Sequence, residues 1–211
     1  ENSILVDGQG VNALAWIAKT GVWAGGITCL SPQANQYLVG ASGDVASKSK
    51  LVLANSGLSA STVDVTVYSE NSSFKKQISV PSNRTITIPI VTLAPATKYI
   101  ALQVVPKAGR VASYLVDERG KGLTALGGDL VNSQAELAKN ISIPAIPHTL
   151  ALQKNHILRV LNPNPVKTNI SVEVLSNNGR YVPVGLDYRS INGDRVIRSE
   201  ERRVGKECRI G

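Results

Sequence analysis

Apolar and polar side chains alternate with a period of two along most of the chain. In the segment TVDVTVYS, at residues 62–69, Val63, Val65 and Val67 fall on one face and polar side chains fall mainly on the other. This alternation is typical of a β-strand that is buried on one side. The same pattern predicts five more strands, at residues 51–55, 77–81, 85–90, 99–105 and 110–116.

Turn-forming segments separate these strands, namely NSGLSAS, ENSS, PSNR, PKAGR and DERGKG. The glycines of AGGI and LGGDL are also interpreted as turns. Short strands broken by such turns predict an all-β fold, an antiparallel immunoglobulin-like β-sandwich. Pro89 lacks a backbone N–H, so we expect its strand at a sheet edge. The clear helical candidate is residues 11–18, VNALAWIA, with a turn near LAPATK.

An internal repeat predicts the domain organisation. Residues 51–74 align without a gap with residues 158–181, and the matches include Leu51 with Leu158 and Asn55 with Asn162. The alignment predicts a tandem repeat whose second copy is truncated. The expected parts are a lead-in with a short helix at 1–28, a first sandwich domain at 29–147 and the start of a second at 148–197.

The C-terminal segment RSEERRVGKEC differs sharply in composition from the rest of the chain. With permitted codons it back-translates to the reverse complement of a common sequencing-library adapter, so residues 198–211 are predicted to be a non-native tail that packs against nothing. The chain contains no methionine. Both ends are therefore expected to be those of a fragment.

Setting the tail aside lowers the formal net charge from +8 to +6. The remaining basic residues are dispersed and lack interleaved aromatic residues, so no nucleic-acid partner is predicted. Cys208 belongs to the tail, which leaves Cys29. It either pairs with a cysteine outside this chain or is a small buried apolar residue.

The candidates for catalysis are few. Asp117 and Glu118 are the nearest pair of acids, but they lie in a segment interpreted as a turn. A serine nucleophile would need a base, and His148 and His156 are expected at the surface or between domains. The spacing of His, Cys, Asp and Glu suggests no metal site, and no phosphate-binding loop is recognised. We therefore predict no catalytic, metal-binding or cofactor-binding residue, no cofactor and no enzymatic activity.

Four aromatic residues are candidates for a sugar-binding face: Trp16, Trp23, Tyr99 and Tyr114. Aromatic platforms bind sugars in many proteins. Aromatic side chains make up only 4% of this chain, and such residues more often fill a core or a sheet edge. Both interpretations stay open.

The segment GITCLSPQANQYLVGAS, at residues 26–42, resembles the Gly-x-x-Cys-x-x-Pro segment of an actinobacterial family, the domain-of-unknown-function family numbered 5719. LVLAN, APATKYIALQVVPKAGRVAS, IPAIP and LRVLNPNP are similar to successive later blocks of that family. Tyr37 stands where the family usually has Trp. The resemblance implies exported or surface-held proteins of tandem β domains, and it implies no activity or ligand.

The sequence therefore predicts a non-catalytic secreted or cell-surface β-sandwich protein with a structural, adhesive or cell-wall-associated role. Its expected partner is a cell-wall polymer or another envelope protein, with no nucleic acid and no direct membrane span. The alternative is an accessory module of an envelope enzyme, for example a carbohydrate-active one, whose catalytic part lies outside this chain.

Overall fold

The computed structural model describes residues 14–19, 22–121, 123–144, 157–176, 179–182, 189–193 and 195–200. Their regular structure is antiparallel β-sheet, apart from the short helix α1 (Ile90–Leu93). In chain order the strands are β1 (Leu14–Lys19), β2 (Trp23–Thr28), β3 (Gln36–Ala41), β4 (Lys50–Asn55), β5 (Ser61–Tyr68), β6 (Ser73–Val80), β7 (Arg84–Pro89), β8 (Ile100–Pro106), β9 (Val111–Lys121), β10 (Thr124–Asn132), β11 (Ile157–Asn162), β12 (Thr168–Ile170), β13 (Val174–Ser176), β14 (Gly179–Tyr181), β15 (Arg189–Ile191) and β16 (Arg195–Glu200).

Two four-stranded sheets face each other across one core. Sheet I has the strand order β10-β9-β4-β7, and sheet II has the order β3-β8-β5-β6. Alternate residues of each sheet are fully buried between them, for example Leu51 and Leu53 from β4 and Val63, Val65 and Val67 from β5. Each such side chain contributes about 1.5–3 kcal/mol when it is fully buried. The all-β prediction and the six strands predicted from the alternation are confirmed.

A buried glutamine joins the two sheets at one side of the sandwich. The Gln36 side chain, on β3, accepts hydrogen bonds from the backbone N–H and the hydroxyl of Ser113 at 2.8 and 2.9 Å. Its amide also donates to the carbonyl of Val111 at 2.8 Å. Because both ends of the side chain have partners, its burial does not leave a polar group unpaired.

The strand β7 lies at the edge of sheet I, and Pro89 is its last residue. The edge position predicted for Pro89 is confirmed. A proline in the middle of the sheet would have removed a ladder hydrogen bond.

The helix predicted at residues 11–18 is wrong for residues 14–18, which belong to strand β1. Residues 11–13 lie outside the described part. The strand β1 pairs with β2, and Trp16 lies opposite Gly26. The helix propensity of the alanine- and leucine-containing segment is overridden by pairing with a neighbouring strand.

Three segments interpreted as turns are strands instead. AGGI lies in β2, the first five residues of DERGKG extend β9, and LGGDL lies in β10. A Cβ added to Gly128 would come within 2.4 Å of the Trp23 ring, so this glycine permits β10 and β2 to approach closely. The irregular register near Gly127 marks a β-bulge in β10.

Two buried asparagines hold matching turns in the aligned segments. The Asn55 amide donates to the carbonyl of Ser59 at 2.9 Å, and its oxygen accepts from the N–H of Gly57 at 2.9 Å. The Asn162 amide donates to the carbonyl of Val166 at 2.8 Å, and its oxygen accepts from the N–H of Asn164 at 3.2 Å. In both turns the carbonyl belongs to the residue four positions after the asparagine, and the N–H belongs to the residue two positions after it.

The hairpins that follow also have the same register. Val67 pairs with Phe74 in the first hairpin, and Val174 pairs with Tyr181 in the second. The aligned positions are therefore equivalent in hydrogen bonding as well as in residue type.

The strand β11 packs on the outer face of sheet II. Arg159 lies 5.3 Å from the centroid of the Tyr99 ring and donates to the carbonyl of Gly40 at 2.6 Å. Leu161 packs in an apolar cluster with Tyr68 and Ala101. These contacts connect the second aligned segment to sheet II.

The expectation that the tail packs against nothing is wrong for residues 198–200. They continue β16, which pairs with β11. A β-ladder is formed by backbone groups, so a segment of any origin can extend it where side chains permit. The rest of the tail, including Val204 and Cys208, lies outside the described residues.

Candidate functional site

The two acids proposed as a pair do not share a cleft. Asp117 bonds Arg119 at 2.6 Å and accepts a hydrogen bond from Ser49. Glu118, the next residue on β9, accepts from the indole N–H of Trp23 at 3.0 Å. Successive side chains of a strand point to opposite faces, so the two carboxylates are engaged separately in structural contacts.

The other candidates that the structure describes do not form a site. His148 and His156 lie outside the described residues. Cys29 is exposed and without a disulfide partner among the described residues, so its interpretation as a buried apolar residue is wrong. It follows the end of β2, where the chain leaves the hairpin. In the described part of the chain, no group of three or more His, Cys, Asp or Glu is placed to hold a metal ion.

The four aromatic candidates do not form one platform. Tyr99 lies beneath Arg159 on sheet II, whereas the hydroxyl of Tyr114, on sheet I, accepts a hydrogen bond from the backbone N–H of Leu30 at 3.1 Å. The Trp23 ring covers Gly128, and its N–H is bound to Glu118. Trp16 differs from these three because its side chain is 78% exposed.

The hairpin formed by β1 and β2 is fixed to sheet I through its second strand. Gly128 lies directly opposite Glu118 in the pairing of β10 with β9. The missing side chain at Gly128 makes room for the Trp23 ring, and Glu118 provides the acceptor for its N–H. Among the described strands, β1 pairs with β2 alone, and Trp16 on β1 is exposed to solvent.

A shallow cleft of about 350 Å³ lies between this hairpin and β10. We call it the hairpin cleft. Its lining residues are uncharged: Leu14, Ala15, Trp16, Gly26, Ile27, Thr28, Leu130 and Asn132. The side-chain oxygen of Asn132 is buried and has no hydrogen-bond partner among the described residues.

A second open cleft of about 320 Å³ lies between β9 and β10, near the bulge at Gly127. It contains Asp117 and Arg119, which bond to each other. Since these opposite charges are already paired, this cleft offers a weaker electrostatic site for a ligand.

Sequence reasoning missed Gly26 and Asn132. The glycine was interpreted as part of a turn, and the asparagine gave no local signal, because its lack of a partner depends on a hairpin more than a hundred residues earlier in the chain. Trp16 was named as a candidate, but nothing in its neighbourhood distinguished it from Trp23.

The architecture described above is that of an all-β protein built on two facing antiparallel sheets. A model of the family of unknown function DUF5719 matches residues 13–200, so the chain belongs to this family. The resemblance predicted from residues 26–42 and the later blocks is thereby confirmed.

No curated protein matches the chain. A solved structure, "Crystal Structure of Thermotoga maritima 1070", is similar with a TM-score of 0.44 and 13% sequence identity. That similarity covers 50% of this chain and 96% of the other. Among the described residues, the only helix is α1, and its four residues are too few to cross a membrane.

Proposed function

We propose that the protein is a non-catalytic, secreted or cell-surface module with a structural or adhesive role at the cell wall. The proposed architecture is a tandem of immunoglobulin-like β-sandwiches. The observation that carries the proposal is the pair of matching turns at Asn55 and Asn162. Repeated modules of this kind extend a chain and present surfaces at intervals.

The repeat is supported by more than residue identity. The same amide-to-carbonyl and N–H-to-oxygen bonds recur at both asparagines, and the hairpin pairs recur in the same register. Two unrelated strand-turn-strand segments would share alternation, but a buried asparagine with equivalent partners is a more specific feature. This favours duplication of one unit.

A non-catalytic role is supported by the use made of the ionisable groups. Asp117 and Glu118 each stabilise contacts within the sandwich. Lys107, 3.1 Å from Asp64, holds the pKa of that carboxyl below its ordinary value, against the opposing effect of burial. A carboxylate kept ionised by lysines is suited to a structural ion pair and poorly suited to donating a proton.

The exposed thiol of Cys29 provides a test of location. Intact cells that produce the protein are treated with a membrane-impermeant maleimide, and modification is measured on the tryptic peptide of residues 20–48, which contains this cysteine. We expect equal modification before and after lysis, with none in a Cys29→Ser variant. Modification only after lysis would contradict the proposed surface location.

A further inference from the structure

We propose that the hairpin cleft binds a neutral glycan, with Trp16 as the stacking surface and the Asn132 oxygen as the acceptor for a sugar hydroxyl. This deepens the proposed adhesive role by naming its ligand class. It rests on that role only for the expectation that the glycan belongs to the cell envelope.

The first observation is the unpaired acceptor. A buried polar atom without a hydrogen bond is rare, and it destabilises the folded state. Asn132 is one of the residues that line the cleft between β10 and the hairpin. Its oxygen is buried in the unliganded protein, so a sugar hydroxyl reaches it only when the hairpin moves away from β10. A ligand that brings an O–H donor would supply the missing bond.

The second observation is the exposed indole beside open space. Gly26 lies opposite Trp16, and a Cβ added to this glycine would meet only the carbonyl of Ala15, at 3.9 Å. The ring therefore borders a volume that no side chain fills. By contrast, the corresponding volume above Gly128 is filled by Trp23.

The third observation is the chemistry of the lining. Apolar side chains and an indole lie beside the polar residues Asn132 and Thr28, and no lining residue is charged. A sugar ring has an apolar C–H face and a rim of hydroxyl groups, so it matches both kinds of surface. The absence of charge among the lining residues favours a neutral polymer over an anionic one.

A peptide is the other ligand with both apolar groups and N–H donors. Peptide recognition relies on pockets that enclose anchor side chains or on continuous pairing with a strand edge. The hairpin cleft is shallow, and its distinctive features are a flat ring and a single acceptor. These features fit a glycan better.

The test is affinity electrophoresis of the full chain in native gels that contain soluble β-glucan, mannan or arabinogalactan. The chain is basic, with a pI of about 9.6, so a gel containing alginate shows the retardation that charge alone produces. We expect retardation by at least one neutral polysaccharide. The affinity obtained from the retardation should be at least about tenfold lower for Trp16→Ala than for the wild type.

Two further variants separate binding from folding. Gly26→Val adds a side chain where a Cβ meets no atom closer than 3.9 Å, and it should abolish retardation while leaving the thermal midpoint unchanged. Phe74→Ala removes an exposed aromatic side chain from sheet II, 42% exposed, and should leave retardation unchanged.

The proposal is overturned if no neutral polysaccharide retards the protein, or if Trp16→Ala and Gly26→Val are retarded like the wild type. An intracellular location would refute the proposed function and leave this binding intact. A protein that lies at the cell surface but binds no glycan would refute the glycan site and leave the proposed function intact.

Discussion

Asn55 is the residue whose removal should most directly test the turn that anchors the sandwich. Its side chain is fully buried, and its oxygen accepts the Gly57 N–H. Its amide donates to the carbonyls of Ser59 and Val80 at 2.9 and 3.1 Å. Asn55→Ala removes all of these bonds at once, including the buried one to the Val80 carbonyl.

The expected loss follows from the number of bonds. Each hydrogen bond contributes about 1 kcal/mol net, and a buried group left without a partner costs about 1–3 kcal/mol. We expect Asn55→Ala to lower the free energy of unfolding by about 3 kcal/mol or more. Since domains are typically stable by about 5–15 kcal/mol, the loss is large.

Urea denaturation followed by tryptophan fluorescence measures this loss. The matched control is Asn71→Ala, in an exposed turn, which should change stability by less than about 0.5 kcal/mol. Asn162→Ala should weaken the turn that follows β11 by a similar mechanism. An Asn55→Ala protein as stable as the control would refute the anchoring role.

Three further predictions concern stability. Lys107 lowers the pKa of Asp64. The stabilisation that Asp64 provides is therefore present above its unfolded-state pKa of about 3.9 and is lost as the pH falls through the lower folded-state pKa. Asp64→Asn should flatten the acid limb of a curve of unfolding free energy against pH. Gly128→Ala places a methyl group against the Trp23 ring and should destabilise by about 1–3 kcal/mol, with a change in tryptophan emission. Asn132→Leu replaces an unpaired buried acceptor and should raise the free energy of unfolding by about 1 kcal/mol while abolishing glycan retardation.

The outcomes that contradict these predictions are also measurable. An unchanged acid limb in Asp64→Asn would show that the ion pairs do not contribute to stability. A Gly128→Ala protein with wild-type emission and stability would mean that the ring does not pack on this glycine. An Asn132→Leu protein that still binds glycan would remove the acceptor from the proposed site.

Much of the sandwich is predictable from local alternation. Residues 62–69 alternate because one face of β5 meets the core, while Asp64 on the other face pairs with Lys75 and Lys107. Such alternation is a property of neighbouring residues. The strand β1 was mistaken for a helix because its pairing partner, β2, determines its conformation. The role of Gln36 was also hidden, since its partners are on a strand more than seventy residues away.

The candidate site was only partly predictable for the same reason. Composition singled out Trp16 and Trp23 equally, and the structure separates them through Glu118 and Gly128, which are distant in sequence. Asn132 had no signal at all, because an unpaired acceptor is a property of the folded surroundings. Family membership, by contrast, was recognisable from motifs that are contiguous in sequence.

The most direct test of the account is cosedimentation of the full chain with isolated cell walls in about 1 M salt, where charge attraction is screened, with released reducing sugars measured in the same tubes. We predict that the wild type sediments with the walls, that Gly26→Val stays in the supernatant and that no reducing sugar is released. A wild type that stays in solution, a Gly26→Val variant that still sediments, or walls that are hydrolysed would contradict the account.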